Sequence, residues 1–500
     1  MCLKKMSKWL SLPLVLLLVI LTGCEAVGGL DVNKALLKSM EVQASESKQS
    51  ISIEVVPADK VSKEDKEIIE LINSLSLTVD HAKFQDTATM SLKGSIGFSG
   101  EKLPYHISMD AKGMTIQVEG AKQPLYISLE DASSEYLELE QYNEQAQEFG
   151  VKATGFLLKH MPNPSTISVK KVQEKVNDES LSLTQLHAEI RGDELVKLVK
   201  PLLTNVSKDE EGLKELIGAF YDFFYPVLSA QFGTDAFGEG QASSKELTVA
   251  AMYGVVQETL TEVLKEYDQQ AAALFEEMPE LNTVLGKDTV LKTDVYFDSS
   301  LNMRKQNMEL TVAIPQGEGV PIKAFTIRSE AEMWNVGGNV TMDQVNVSAG
   351  KLVVTDGEIT PGQMLRNFEP GSIIYKLLKE EMHITSKYVL VGYPGDYYEV
   401  IKKNGSSFVP LRYMSAELDA EIKWNKETKT ITIIDDITQE EIVLTVGSKQ
   451  AKVGGKAVTL SEPAFIHEDG KTYVPLRFIA EALGAKVQVD GDGWITVTRD

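Results

Sequence analysis

The side chains able to do nucleophilic or metal chemistry in this 500-residue chain are few and scattered. Only two thiols are present, Cys2 and Cys24, both near the N-terminus. A thiolate zinc centre needs several ligands converging on one point, and a disulfide framework needs pairs spread through the fold, so both are excluded. The six histidines are His81, His106, His160, His187, His383 and His467, with no HxH pair among them. A lone imidazole does not make a copper site. Asp490-Gly491-Asp492-Gly493 starts like a calcium loop but lacks the third acidic ligand and the distal glutamate, and it reads as a hairpin turn. There is no G-x-S-x-G elbow, Walker A loop, H-E-x-x-H pair or strand-linked G-x-G-x-x-G. The 73 acids guarantee chance carboxylate pairs, and nothing in their spacing singles out two for glycoside hydrolysis. No catalytic residue, metal or cofactor is therefore expected.

Cys24 differs from Cys2 in its setting. Lys4, Lys5 and Lys8 form a basic start, and residues 9–21 are an apolar run of 13 that contains Pro13. A spanning helix needs about 20 apolar residues, so the run reads as the core of an export signal. It closes with Leu21-Thr22-Gly23-Cys24. This ending resembles the lipobox of bacterial lipoproteins. The resemblance implies cleavage before Cys24, diacylglycerol and palmitate-type chains on its thiol, and a place on the extracytoplasmic face of the cell membrane. Two acyl chains anchor durably, at about 0.8 kcal/mol per buried methylene, where one binds reversibly. Residues 1–23 are then signal peptide and 24–30 a lipidated tether. The alternative is an uncleaved segment in which Cys24 is a small buried residue.

Composition sets further bounds. With 43% apolar and 25% charged residues the chain is globular, and its length exceeds one compact core. The 50 basic and 73 acidic residues give −23, and loss of three lysines with the signal deepens this to −26. Such a charge repels phosphate backbones, which argues against nucleic acid as a partner. It also repels anionic headgroups, so acyl chains rather than a basic patch would hold the protein at a membrane.

The C-terminal hundred residues repeat themselves. Phe408-Val409-Pro410-Leu411-Arg412-Tyr413 recurs 65 residues on as Tyr473-Val474-Pro475-Leu476-Arg477-Phe478, and residues 418–422 recur as 483–487. Ile431-Thr432-Ile433 returns as Ile495-Thr496-Val497 at an offset of 64. Each copy predicts a proline in the first helical turn and a short amphipathic helix, with Phe478, Ile479, Ala482 and Leu483 on its apolar face in the second copy. A left-handed residue follows, Gly484 in the second copy and Asp419 in the first. Two short strands about a turn complete the unit, giving a small sheet wrapped on one helix per copy. Arg412 and Arg477 are either ligand contacts or ties from helix to sheet, and the tie is preferred.

These residues resemble the copper amine oxidase N-terminal, or stalk, domain family, with its V-P-L-R-F-x-A-E-A-L-G-A helix, tryptophan and T-I-T run. Residues 474–485 match almost throughout. The first copy departs at Ala416 and Asp419, yet has Trp424 where the second has Val489. The resemblance implies a module without metal or quinone, which in that family belong to a different domain.

Upstream, Asp31 opens a helix carrying Ala35, Leu36 and Met40, and Ser62-Lys63-Glu64-Asp65 caps a second. Met90, Leu92, Ile96 and Phe98 then recur with period two, as do Tyr105, Ile107 and Met109, the mark of antiparallel strands with one face covered. The same holds for Met114, Ile116 and Val118, and for Leu125, Ile127 and Leu129. His106 falls on the opposite, solvated face. Helices over 194–203 (capped by Asp193), 213–228 and 245–275 interrupt strands that resume from Thr293 to Val354. The expected fold class is α+β: an antiparallel-sheet domain with a helical insert at 31–355, a helical spacer at 356–385 and a two-repeat α+β stalk domain at 386–500. The pattern of the first domain resembles the half-barrels of lipoprotein carriers, which hold lipid under helices. Phe220, Tyr221, Phe223, Phe224 and Tyr225 either line such a pocket or fill a helix-on-sheet core.

Together these features favour a non-enzymatic, membrane-anchored surface lipoprotein that binds or scaffolds at the cell envelope, taking a cell-wall or protein partner through the stalk domain. The alternative is a carrier of lipid or amphiphile through the middle domain. A wall-active hydrolase would need a carboxylate pair the sequence does not single out.

Overall fold

The computed structural model describes residues 27–42, 44–86, 88–129, 148–232, 245–354, 359–392, 400–491 and 493–499. The expected signal peptide and Cys24 lie outside them. Contacts among the described residues divide the chain into a first unit, up to Met114 and from Leu129 to Val345, and a second, Thr115–Ser128 with Asn346 onward.

Nine antiparallel strands of one sheet belong to the first unit: β1 (Ser45–Pro57), β2 (Ser76–Phe84), β3 (Met90–Phe98), β4 (Glu101–Asp110), β5 (Thr166–Val176), β6 (Glu179–Arg191), β7 (Val290–Phe297), β8 (Met303–Ala313) and β9 (Ile322–Trp334). Their spatial order is β4-β3-β2-β1-β9-β8-β7-β6-β5. The chain thus works outward from β1, crosses to the far edge, and returns strand by strand until β9 pairs with β1, Ile53 opposite Ile327.

Helices cover the apolar face unevenly. The α1 helix (Val32–Met40), capped by Asp31 as expected, buries Val32 and Ala35 against Leu186, Val295 and Phe297. Val27 and Leu30 exchange backbone hydrogen bonds, and Leu30 joins that core, so residues 27–30 are part of the unit and not tether. The α2 helix (Lys63–Ser74), capped by Ser62, fully buries only Ile69. The cross-strand row Leu103–Ile96–Leu77–Ile51 is therefore partly open, with Ile96 42% and Leu77 37% exposed.

On β3 the covered face is the polar one, contrary to the reading from periodicity. Residues 343–345 cross it, Asp343 N–H donating to Ser91 Oγ (3.2 Å) and Val345 N–H to Ser108 Oγ (3.3 Å). The Asp343 carboxylate takes Lys83 (3.1 Å) and Lys93 (2.9 Å), and its backbone carbonyl oxygen bonds His106 (2.9 Å), which is half-buried. A crossing segment with polar groups to satisfy settles where serines and lysines meet it. The helical insert comprises α3 (Gly192–Lys208), α4 (Glu210–Phe232) and α5 (Lys245–Glu277), followed by the single turn α6 (Leu281–Val284). Asp193 does not cap α3; Arg191 holds that position, and Asp193 pairs with Lys197 one turn on (3.0 Å).

In the second unit Leu125–Ser128 runs parallel to Leu352–Val353. The α7 helix (Pro361–Arg366) has a full Thr360/Gln363 capping box, and α8 (Ile373–Lys376) continues into a π turn, Leu377–Glu381. The repeat region holds β10 (Lys387–Gly392), β11 (Ile401–Lys403), β12 (Ser406–Pro410), α9 (Leu411–Glu417), β13 (Ala420–Asn425), β14 (Thr430–Asp435), β15 (Glu441–Thr445), β16 (Gln450–Val453), β17 (Lys456–Thr459), β18 (Phe465–Ile466), β19 (Thr472–Pro475), α10 (Leu476–Ala482), β20 (Lys486–Val489) and β21 (Ile495–Arg499). They form three sheets, β10-β21-β20, β11-β12-β19-β18 and β13-β14-β15-β16-β17. The two copies interlock instead of each wrapping its own helix. Strands β12 and β19 pair antiparallel, Val409 opposite Val474, and one core takes Met414, Leu418 and Ile433 from the first copy with Ile479, Leu483 and Val497 from the second. One short helix and a hairpin bury too little apolar area to stand alone, and sharing a core corrects this.

Candidate functional site

The repeat motif is structural wherever it is apolar. Val409, Leu411, Val474 and Leu476 are at most 3% exposed and Pro475 is buried, while Pro410 is half-buried. Both prolines end a strand and stand at the N-cap of the helix, one position earlier than expected. Gly484 (φ +72°) and Asp419 (φ +54°) both adopt the left-handed conformation. At Asp419 a bond from Lys387 to the carboxylate (2.9 Å) accompanies this strained backbone. Arg412 and Arg477 are exposed and neither ties helix to sheet; Arg477 reaches Glu481 on its own helix (3.9 Å).

The tie is made by residues the sequence reading passed over. Arg499, on β21, donates to the Asp435 carboxylate on β14 (2.6 Å) and to the Leu418 carbonyl oxygen, and both charged side chains are about 5% exposed or less. The two positions are 64 residues apart, the offset of the repeat, so equivalent places in the two copies carry opposite charges. That coincidence is readable in an alignment of the copies. Next to it, burial pushes the Asp436 carboxyl up from its ordinary range, while Thr360 donates a bond to it (2.9 Å) and Arg366 bonds its carbonyl oxygen (3.2 Å). The spacer helix α7 is thereby docked on the module.

In the first unit, helix 148–160, α4 and α5 enclose a cleft of about 800 Å³. Gly155, Phe156, Leu216, Ala219 and Val249 give it an apolar floor. Four lysines stand at its rim, each neutralised nearby: Lys152 by Glu148 (2.7 Å), Lys159 by Asp209, Lys214 by Glu210 and Lys245 by Asp222 (each 2.6 Å). The Lys159 ammonium, then the Gly212 N–H, hold the Asp209 carboxyl at about 2, well below its ordinary value. Buried His160 also meets Asp209 (2.9 Å), edge-on to Phe156. Among the described residues, the phenylalanine rings of α4 meet one another and helix 148–160. Phe223 stacks on Phe149 of helix 148–160 (5.6 Å), with Phe220 and Phe224 edge-on to the same ring.

Among the described residues no group of three or more His, Cys, Asp or Glu is placed to hold a metal ion. Residues 396–498, about a fifth of the chain, match the family model for the copper amine oxidase N-terminal domain. The stalk module is similar to that domain in sequence over those residues. His467 is the one histidine in the segment, with Asp469 at 3.4 Å. No curated protein matches the chain.

Proposed function

We propose that this protein is a non-enzymatic lipoprotein, held by acyl chains on Cys24 at the extracytoplasmic face of a bacterial membrane. Its role is binding or scaffolding at the envelope, with the stalk module taking a cell-wall or protein partner. The observation that carries this reading is where the first core begins. Leu30, Val32 and Ala35 are already inside it, so the first described core begins only a few residues beyond the Cys24 anchor point. Cys24→Ser is expected to move the protein from the membrane to the soluble fraction and to abolish palmitate incorporation. Undiminished membrane retention would overturn the anchor.

The cleft between helix 148–160, α4 and α5 supports a second reading, a carrier of lipid or amphiphile. An apolar floor with a charged rim suits a molecule with an acyl chain and a polar head. Native mass spectrometry of the full chain carrying Cys24→Ser is expected to find a lipid adduct. A bare polypeptide mass counts against this reading and leaves the first untouched.

A further inference from the structure

The outer face of the sheet β10-β21-β20 departs from the rest of the repeat module. Alternation sends Val389, Val391, Ile495 and Val497 into the core. It turns Tyr388, Thr498 and Lys486 outward as one cross-strand row, and Leu390, Thr496 and Gln488 as the next. Trp494 extends β21 on the same side, its carbonyl accepting from the Asp490 N–H (3.1 Å) and its N–H donating to the Asp490 carboxylate (2.8 Å). Tyr388 is 73% exposed, Leu390 48% and Trp494 37%.

The repeat supplies its own comparison. In the first copy, β13, β14 and β15 present Glu421, Ile434 and Glu441 as one row and Lys423, Thr432 and Val443 as the next on the corresponding face, with Glu421 and Lys423 paired at 3.8 Å. The architecture is therefore satisfied by rows of charged, polar and aliphatic residues without an aromatic. Tyr388 and Leu390 on β10 and Trp494 beside β21, all exposed, serve something other than folding.

We infer that this face binds a neutral glycan strand of the cell wall, which rests on the reading of the stalk as the module that takes a wall partner. Sugar rings offer apolar C–H faces that stack on tyrosine and tryptophan, and hydroxyls that pair with Thr496, Thr498 and Gln488. Four residues along β21 put Trp494 about 13 Å from the level of Tyr388, room for several sugar rings. Charge selects the same occupant. The mature chain, at −26, repels polyanions and acidic peptides. Among its described residues the face carries Lys486, and the Asp490 carboxylate beside it is bonded to the Trp494 backbone N–H, so a neutral chain meets no repulsion.

The test uses the full chain with Cys24→Ser, and purified peptidoglycan sacculi and soluble chitotetraose as probes. The parent is expected to sediment with sacculi and to show a saturable change of tryptophan fluorescence with chitotetraose. Tyr388→Ala combined with Trp494→Ala is expected to weaken sacculus binding at least tenfold with an unchanged melting profile, and Lys423→Ala on the first copy's face to leave it unaltered. Equal binding by the double variant overturns this face while the wall-partner reading stands. A parent that binds neither probe, or a face that captures a purified envelope protein instead, overturns the glycan.

Discussion

Arg499→Ala is expected to destabilise the C-terminal module by about 3–5 kcal/mol, the loss typical of removing one partner from a buried ion pair. The guanidinium serves two acceptors, the Asp435 carboxylate and the Leu418 carbonyl oxygen at the end of α9. Alanine leaves both without it. Asp435 keeps the Ile437 N–H and the Thr438 hydroxyl (both 2.9 Å), but its charge then has no buried counterion. Most of the loss comes from that stranded charge, so Asp435→Asn together with Arg499→Met is expected to recover a large part of it. Arg477→Ala is the comparison. Its pair with Glu481 is exposed, and such pairs contribute about 0–1 kcal/mol. Urea unfolding followed by the fluorescence of Trp424 and Trp494 reads the difference. If Arg499→Ala and Arg477→Ala shift the midpoint equally, the buried pair does not join the copies.

Gly94→Ala is expected to cost the first unit roughly 1–3 kcal/mol, and Gly94→Val more, because the sheet has no room for a side chain there. A Cβ on Gly94 lies 1.9 Å from the Thr78 carbonyl oxygen and 2.7 Å from the Tyr105 hydroxyl, which itself donates to that carbonyl (3.1 Å). The Tyr105 side chain can swing aside at the loss of a hydrogen bond, but the Thr78 backbone belongs to β2 and moves only with its strand. The same change at Gly254 has the opposite sign. That glycine is exposed within α5 and a Cβ there meets nothing within 4 Å, so alanine gains about 0.5–1 kcal/mol from helix propensity and reduced freedom of the unfolded chain. Thermal unfolding of both variants against the parent decides the point. A Gly94→Ala protein as stable as the parent would mean that β2 and β3 do not pair as tightly as the Gly94 position implies.

Neither residue stood out in the sequence. Gly94 is one glycine among 36, and its constraint comes from Thr78 and Tyr105 on the flanking strands. Arg499 and Asp435 sit at equivalent repeat positions, yet their burial depends on three sheets closing over one core. The exposed Tyr388 and Leu390 lie just before the copies and belong to β10, which supplies a strand to the second copy from outside the repeat.

The sequence by itself determined what neighbouring residues decide among themselves. The Asp31 and Ser62 caps, the period-two runs that became β3 and β4, the helices behind the two proline motifs, and the left-handed backbone at Asp419 and Gly484 all follow from 3.6- and 2-residue periods and local hydrogen bonds. The tertiary structure alone decided which face of a strand is covered and which charge is buried. Period two says that Ser91 and Leu92 point opposite ways, but Ser91 is covered because Asp343, some 250 residues away, finds its polar partners there. Coverage is a contest among distant segments for the same surface, and no local period encodes its outcome.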